Sequence, residues 1–106
     1  MKIGVSLDIT ILGPDGRPSE QVSIGLENHD QLMRSISRSD CMLKRLNDYY
    51  ADAEFHNTEL DGLIKELLVV RERSQNNEPF LLFLNSFIEL AEQGKRKQLP
   101  LVVIAD

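Results

Sequence analysis

The chain has 106 residues, 42% of them apolar and 27% charged, and it carries a formal net charge of −5. This length suits one globular domain over residues 1–106, with no room for a second independent core. No stretch approaches the roughly 20 apolar residues of a transmembrane helix, and the first residues lack the pattern of a signal peptide. Cys41 is the single cysteine, so nothing points to an oxidising compartment. We therefore expect a cytoplasmic protein of bacterial type.

The excess negative charge is concentrated in one acidic segment, Asp48–Gly62, which reads DYYADAEFHNTELDG. This segment contains five of the 17 acidic residues and no Lys or Arg, so the rest of the chain is formally neutral. The five are Asp48, Asp52, Glu54, Glu59 and Asp61. Phosphate binding needs clustered Lys and Arg, so this distribution argues against a nucleic-acid partner. It favours encounter with a basic surface.

The first elements form a predicted β-hairpin. KIGVSLDITIL and QVSIGLE alternate apolar with polar residues, as half-buried strands do, and GPDGRPSE between them has the composition of a turn. Opposed residues of an antiparallel pair point to the same side, so the apolar residues of one strand should lie opposite the apolar residues of the other. The expected pairs are Leu7 with Ile24, Ile9 with Val22, Val5 with Leu26 and, on the other face, Asp8 with Ser23. That other face carries small residues, including Ser6 and Gly25, and is either solvated or a platform for another chain or ligand.

Three or four helical segments are predicted after the hairpin. They read NHDQLMRSI, SDCMLKRLNDYY, TELDGLIKELLVVRER and NNEPFLLFLNSFIELAEQG, each with apolar residues at helical spacing. The expected caps are Asn28 or Asp30 for the first helix, Ser39 or Asp40 for the second, and Thr58 with Asp61 for the third. The fourth helix is predicted to start at Pro79 and to stop at Gly94.

The last segment, LPLVVIAD, is apolar on both sides, which predicts a central strand or a strand covered on both faces. Placing it beside the first strand gives the strand order 2-1-3, with its direction left open. The helices then cover the apolar face of the sheet. The predicted fold is therefore an α+β two-layer sandwich with the topology β-β-α-α-α-α-β.

The acidic segment permits a hypothesis of metal binding or catalysis. Asp52, Glu54 and His56 alternate, so an extended segment would place them on one side, where they could hold a divalent cation or use His56 as a general base. No second His or Cys lies nearby, and no base is identifiable beside Cys41. We therefore assign no catalytic residue, metal ligand or cofactor. A small enzyme or ligand-binding protein using these three residues remains an alternative.

A purely structural interpretation explains only part of the acidic segment. Thr58 and Asp61 suit a helix amino terminus, and Phe55 can anchor the loop to the core. Neither role explains why the charge is concentrated. Tyrosines are enriched at the centres of interfaces, and surrounding acids steer a basic partner, so binding explains both features.

The sequence thus predicts a non-catalytic protein-binding domain whose partner is a protein with a basic surface. One version is an immunity or antitoxin-like inhibitor. The predicted contact residues are Tyr49, Tyr50, Asp52, Glu54, His56 and Glu59. A further alternative is a self-associating domain, for example a homodimer formed through the small-residue sheet face or a strand edge.

Overall fold

The computed structural model describes residues 7–36, 42–47, 52–74 and 77–105. The elements in chain order are β1 (Leu7–Leu12), β2 (Pro18–Ile24), α1 (Leu26–Ser35), a first 3-10 helix (Leu43–Leu46), β3 (Ala53–Phe55), a second 3-10 helix (Asn57–Glu59), α2 (Leu60–Arg73), α3 (Glu78–Lys97) and β4 (Leu101–Ala105). None of the helices in these ranges combines the length and the apolar composition that crossing a membrane requires.

The strands form one four-stranded antiparallel sheet with the order β2-β1-β4-β3. The α+β class is confirmed, and so is the position of the last strand beside the first. Its direction, left open by the sequence, is antiparallel. In the predicted order 2-1-3, the third strand is the last strand of the chain, which is β4 in the structure. The prediction lacks β3, which pairs with the far side of β4 and was expected to be loop. A three-residue strand has too little sequence to show a period, so only its pairing with β4 identifies it.

The register of the hairpin is confirmed where both strands are described. Leu7 pairs with Ile24, Asp8 with Ser23 and Ile9 with Val22, as opposition of apolar residues requires. Leu26, the expected partner of Val5, is the first residue of α1, behind the N-cap Gly25. Val5 and Ser6 lie outside the described residues.

The hydrophobic core lies between the helices and one face of the sheet. The strands contribute alternate residues to it, and α3 contacts both β1 and β2. The fully buried strand residues are Leu7, Ile9, Ile11, Ile24, Phe55, Leu101 and Val103. Three aromatic residues of α3, Phe80, Phe83 and Phe87, fill the helical side of the core. The other face of the sheet is left without a helical layer among the described elements.

Two predictions for the first half of the helical region are wrong. Asn28 and Asp30 lie inside α1 and do not cap it. The second predicted helix is, in its described part, a single 3-10 turn. Glu66 of α2 holds this turn, because its carboxylate accepts hydrogen bonds from the backbone N–H groups of Met42 at 3.1 Å and Leu43 at 2.9 Å. Ser39, Asp40 and Cys41 lie outside the described residues.

The predicted ends of the later helices also need correction. Thr58 lies in the second 3-10 helix, so the predicted capping pair of Thr58 with Asp61 is not formed. Asn77 caps α3 by accepting a hydrogen bond from the N–H of Phe80 at 3.3 Å. Pro79 is the second helical residue and not the first. The predicted stop at Gly94 is wrong, because α3 continues to Lys97.

Gln98 ends α3 in a left-handed conformation, with φ of 57°. The N–H of Leu99 then donates to the carbonyl oxygen of Gly94 at 2.9 Å. Gly94 is buried, and a Cβ at this position would meet Leu60 Cδ1 at 3.0 Å and the Leu99 carbonyl oxygen at 3.1 Å. This glycine is therefore needed for close packing and does not end the helix.

Candidate partner-binding surface

The described part of the acidic segment, residues 52–62, contains β3, which is an edge of the sheet. Phe55 is fully buried and anchors the segment to the core, as predicted. Successive strand residues point to opposite faces, so Glu54 points away from Phe55 and is exposed. Asp52, just before the strand, is exposed as well. Burial of one aromatic ring thus presents the two carboxylates to solvent.

Two apolar side chains of β4 lie beside these carboxylates. Val102 pairs with Glu54 across the ladder, and Ile104 follows on the same face of the strand. Of the two predicted alternatives for this segment, the central strand is confirmed, because β4 lies between β1 and β3. It is not covered on both faces, since Ile104 is 44% exposed. An open groove of about 480 Å³ runs between residues 52–54 and 102–104. We refer to Asp52, Glu54, Val102 and Ile104 together as the β3 surface.

The carboxylate of Asp52 is positioned by the backbone of β4. Its Oδ1 accepts a hydrogen bond from the N–H of Ala105 at 2.8 Å. No Lys or Arg of the described ranges forms an ion pair with Asp52 or Glu54. Both negative charges are therefore presented without a compensating cation from these parts of the chain.

Glu59 has a different role from Asp52 and Glu54, because Arg45 of the first 3-10 helix binds it directly. Arg45 Nη1 donates to Glu59 Oε1 at 2.9 Å, and Nη2 donates to Oε2. This bidentate pair lowers the pKa of Glu59 to about 2, and the hydrogen bond from the His56 N–H to Oε1 contributes to the same shift. The same pair raises the pKa of Arg45. Glu59 was predicted to contact a partner, and its charge is already satisfied within the chain.

Arg45 also contacts β3 itself. Its Nη1 donates to the carbonyl oxygen of Glu54 at 3.1 Å, and its guanidinium lies 5.3 Å from the centroid of the Phe55 ring. Arg45 therefore joins the first 3-10 helix, β3 and the second 3-10 helix. Arg45 was not among the predicted site residues, since 14 positions separate it from Glu59 and no local pattern links them.

Asp61, the last acid of the segment, is also paired. Lys95 Nζ donates to its Oδ1 at 2.9 Å, and Lys65 lies 3.5 Å from its Oδ2. The hydrogen bond to Lys95, followed by its positive charge, lowers the pKa of Asp61. Of the described acids in the acidic segment, Glu59 and Asp61 are thus neutralised by ion pairs, whereas Asp52 and Glu54 have no compensating cation from the described residues. Asp48, Tyr49 and Tyr50 lie outside the described residues.

The alternative of a metal or catalytic site finds no enclosed geometry in the described segments. His56, Asp52 and Glu54 are all exposed, and the backbone N–H of His56 serves the local bond to Glu59. Within these ranges no three His, Cys, Asp or Glu side chains are placed to hold a metal ion. The groove at the β3 surface is open and lined by two carboxylates and apolar residues. Such a surface suits contact with a macromolecule better than enclosure of a small ligand.

Comparisons of the chain with protein-family models, with curated proteins and with solved structures found no match.

Proposed function

We propose that this chain is a non-catalytic protein-binding domain and that its partner presents a basic surface to the β3 surface. The observation that carries the proposal is the exposure of Asp52 and Glu54, uncompensated by a described cation, beside the exposed side chain of Ile104. Charges of one sign next to an apolar contact area match the anatomy of a protein interface.

Each part of the β3 surface would contribute differently to binding. The two carboxylates would accelerate encounter with a cationic partner and select against an acidic one. Val102 and Ile104 would supply the apolar contact that slows dissociation. His56, Tyr49 and Tyr50 remain predicted contacts, and the two tyrosines lie outside the described residues. Glu59 would act indirectly, by holding Arg45 against β3.

The more specific version is an immunity or antitoxin-like inhibitor that covers a basic surface of a toxin. The small size, the net charge of −5 and the α+β class support this version by analogy of class only. A small enzyme that uses His56 with Asp52 and Glu54 remains the alternative prediction, and no described geometry favours it.

The test neutralises the two carboxylates while keeping their hydrogen-bonding capacity. A partner captured from the native lysate would be purified and titrated against the wild type and the double variant Asp52→Asn/Glu54→Gln. The amide oxygen introduced at position 52 can still accept from the N–H of Ala105, so the fold should be retained. We expect affinity to fall about tenfold at low salt, because each lost charge pair is worth roughly 0.2–1 kcal/mol at an exposed site.

The matched control is Glu72→Gln/Glu92→Gln, which removes two exposed charges from the helical layer. It should bind the partner as the wild type does, apart from a small uniform change in long-range attraction. Equal affinity of the Asp52→Asn/Glu54→Gln variant and the wild type at every salt concentration would contradict the proposal. So would equal weakening of the two double variants.

A further inference from the structure

The two edges of the sheet differ in how their backbone groups are used. At the β3 edge, Arg45 donates to the outward carbonyl oxygen of Glu54. The other edge is β2, a longer strand of seven residues that is exposed over most of its length. Unpaired edge strands are templates for the addition of another strand, and proteins commonly block them. In the described structure only the short edge is blocked in this way.

The hydrogen bonds of the sheet show which groups of β2 point outward. The N–H of Leu12 donates to the carbonyl oxygen of Pro100 at 3.1 Å, in register with the β1–β4 ladder. In an antiparallel sheet the backbone groups of successive residues point alternately to the two neighbouring strands. Even-numbered residues of β1 therefore bond to β4, and odd-numbered ones, such as Ile9, bond to β2.

The same alternation then applies to β2. Val22 pairs with Ile9, so its backbone groups point to β1. The N–H and C=O groups of Gln21 and Ser23 point away from the sheet, where no strand of the described ranges meets them. Four hydrogen-bonding groups in one line are what an added strand requires.

A groove accompanies this edge. It lies between β2 and α3, has a volume of about 190 Å³, and includes Val22 and Leu90 among its lining. Its charged lining residues are Glu89 and Glu20, and Glu20 forms an ion pair with Lys97 at 3.9 Å. The remaining lining residues are Gln21, Ser86 and Gln93. The groove is smaller than the roughly 300–1,000 Å³ of small-molecule sites, and it suits a single long side chain.

We propose that the β2 edge binds an extended segment of a partner protein, which adds as a fifth strand and places a Lys or Arg side chain in the groove beside α3. The aliphatic part of that side chain would lie on Val22 and Leu90, and its charge would meet Glu89, since Glu20 is already paired with Lys97. This surface is distinct from the β3 surface and does not depend on the function proposed there.

Charge favours such a segment over a second copy of this chain. Two copies joined edge to edge by a two-fold axis would place their α3 helices side by side on one face of a continuous sheet. Glu89 of each copy would then approach Glu89 of the other, and like charges in contact oppose association. A cationic strand has no such cost.

The test uses a synthetic nine-residue peptide of alternating Thr and Val with Lys at its centre, and the same peptide with Glu at that position. Binding to the full chain would be followed by amide NMR shifts and hydrogen exchange. We expect the Lys peptide to bind at least fivefold more tightly than the Glu peptide, and to slow exchange at Gln21 and Ser23 but not at Glu54. Preference for neither peptide, or shifts that map away from β2, would overturn the proposal.

Backbone variants make the test specific for strand addition. Gln21→Pro removes an outward N–H and leaves the ladder to β1 intact, so it should fold and bind about five- to tenfold more weakly. Gln21→Ala is the matched control and should bind as the wild type does. Glu89→Gln should reduce the preference for the Lys peptide. Unchanged binding by Gln21→Pro, or occupation of the edge by a second copy in sedimentation experiments, would overturn the proposal.

Discussion

At the residue scale, the ion pair of Arg45 with Glu59 gives the fold a specific dependence on pH. Binding to Arg45 lowers the pKa of Glu59 from its ordinary value near 4.5 to about 2 in the folded protein. Ionised Glu59 therefore contributes stability above its unfolded pKa, and this contribution is lost as the pH falls from about 4.5 toward 2.

The variant Glu59→Gln should expose this dependence. A neutral amide cannot form the charged pair, so the variant should be less stable than the wild type near pH 6, and the difference should shrink as the pH approaches 2. Urea unfolding at about pH 6, 4.5 and 3 measures it. Glu72→Gln, which removes an exposed carboxylate of α2, is the control and should follow the wild type at each pH. A difference that stays constant over this range would show that the pair does not stabilise the fold through its charge.

Individual residues also show how far the candidate site could be predicted. The alternation of Asp52, Glu54 and His56 placed all three on one side of an extended segment, and of these Asp52 and Glu54 line the groove at the β3 surface. The pairing of Glu59 with Arg45 and of Asp61 with Lys95 could not be read in this way, since each joins residues at least 14 positions apart. Local charge counting therefore overestimated the uncompensated charge of the acidic segment.

At the element scale, the contact of α3 with α2 depends on Gly94. Alanine there would gain about 1 kcal/mol in helix propensity, but its Cβ would meet Leu60 Cδ1 and the Leu99 carbonyl oxygen together. The Leu99 carbonyl belongs to the helix end and cannot move aside as a side chain can. Overpacking of this kind costs roughly 1–3 kcal/mol, so Gly94→Ala should destabilise the protein by about 1 kcal/mol.

Gly62 provides the matched control for that prediction. It lies in α2, and a Cβ there would meet only the end of the Met42 side chain at 3.6 Å, an ordinary contact. Gly62→Ala should therefore stabilise the protein by about 0.5–1 kcal/mol. Denaturant unfolding of the two variants should show shifts of opposite sign. Stabilisation by both substitutions would mean that the close approach at Gly94 is relieved without cost.

The same two elements explain which parts of the fold the sequence could predict. The hairpin register follows from the opposition of Leu7 with Ile24 and Ile9 with Val22, which requires only the pattern of two adjacent strands. The end of α3 was misplaced because Gly94 resembles a helix stop, and its packing against Leu60 is a tertiary contact. β3 was missed because it is defined by pairing with β4, which lies far along the chain.

At the scale of the whole molecule, the sheet has one blocked edge and, among the described residues, one open edge, which makes Arg45 a determinant of solution behaviour. Its guanidinium covers the outward carbonyl oxygen of Glu54, and a polar cover of this kind opposes edge-to-edge association. Removing the cover should convert β3 into a second open edge.

The variant Arg45→Met tests this role, because Met keeps an apolar stem over Phe55 and lacks the guanidinium. We expect it to form larger species as the protein concentration rises in sedimentation velocity experiments. Glu59→Gln is the matched control, since it breaks the same ion pair but leaves Arg45 able to donate to the Glu54 carbonyl and to the amide oxygen of the substituted side chain. It should sediment as the wild type does. If both variants associated to the same extent, loss of the ion pair, and not exposure of the β3 edge, would be the cause of the association.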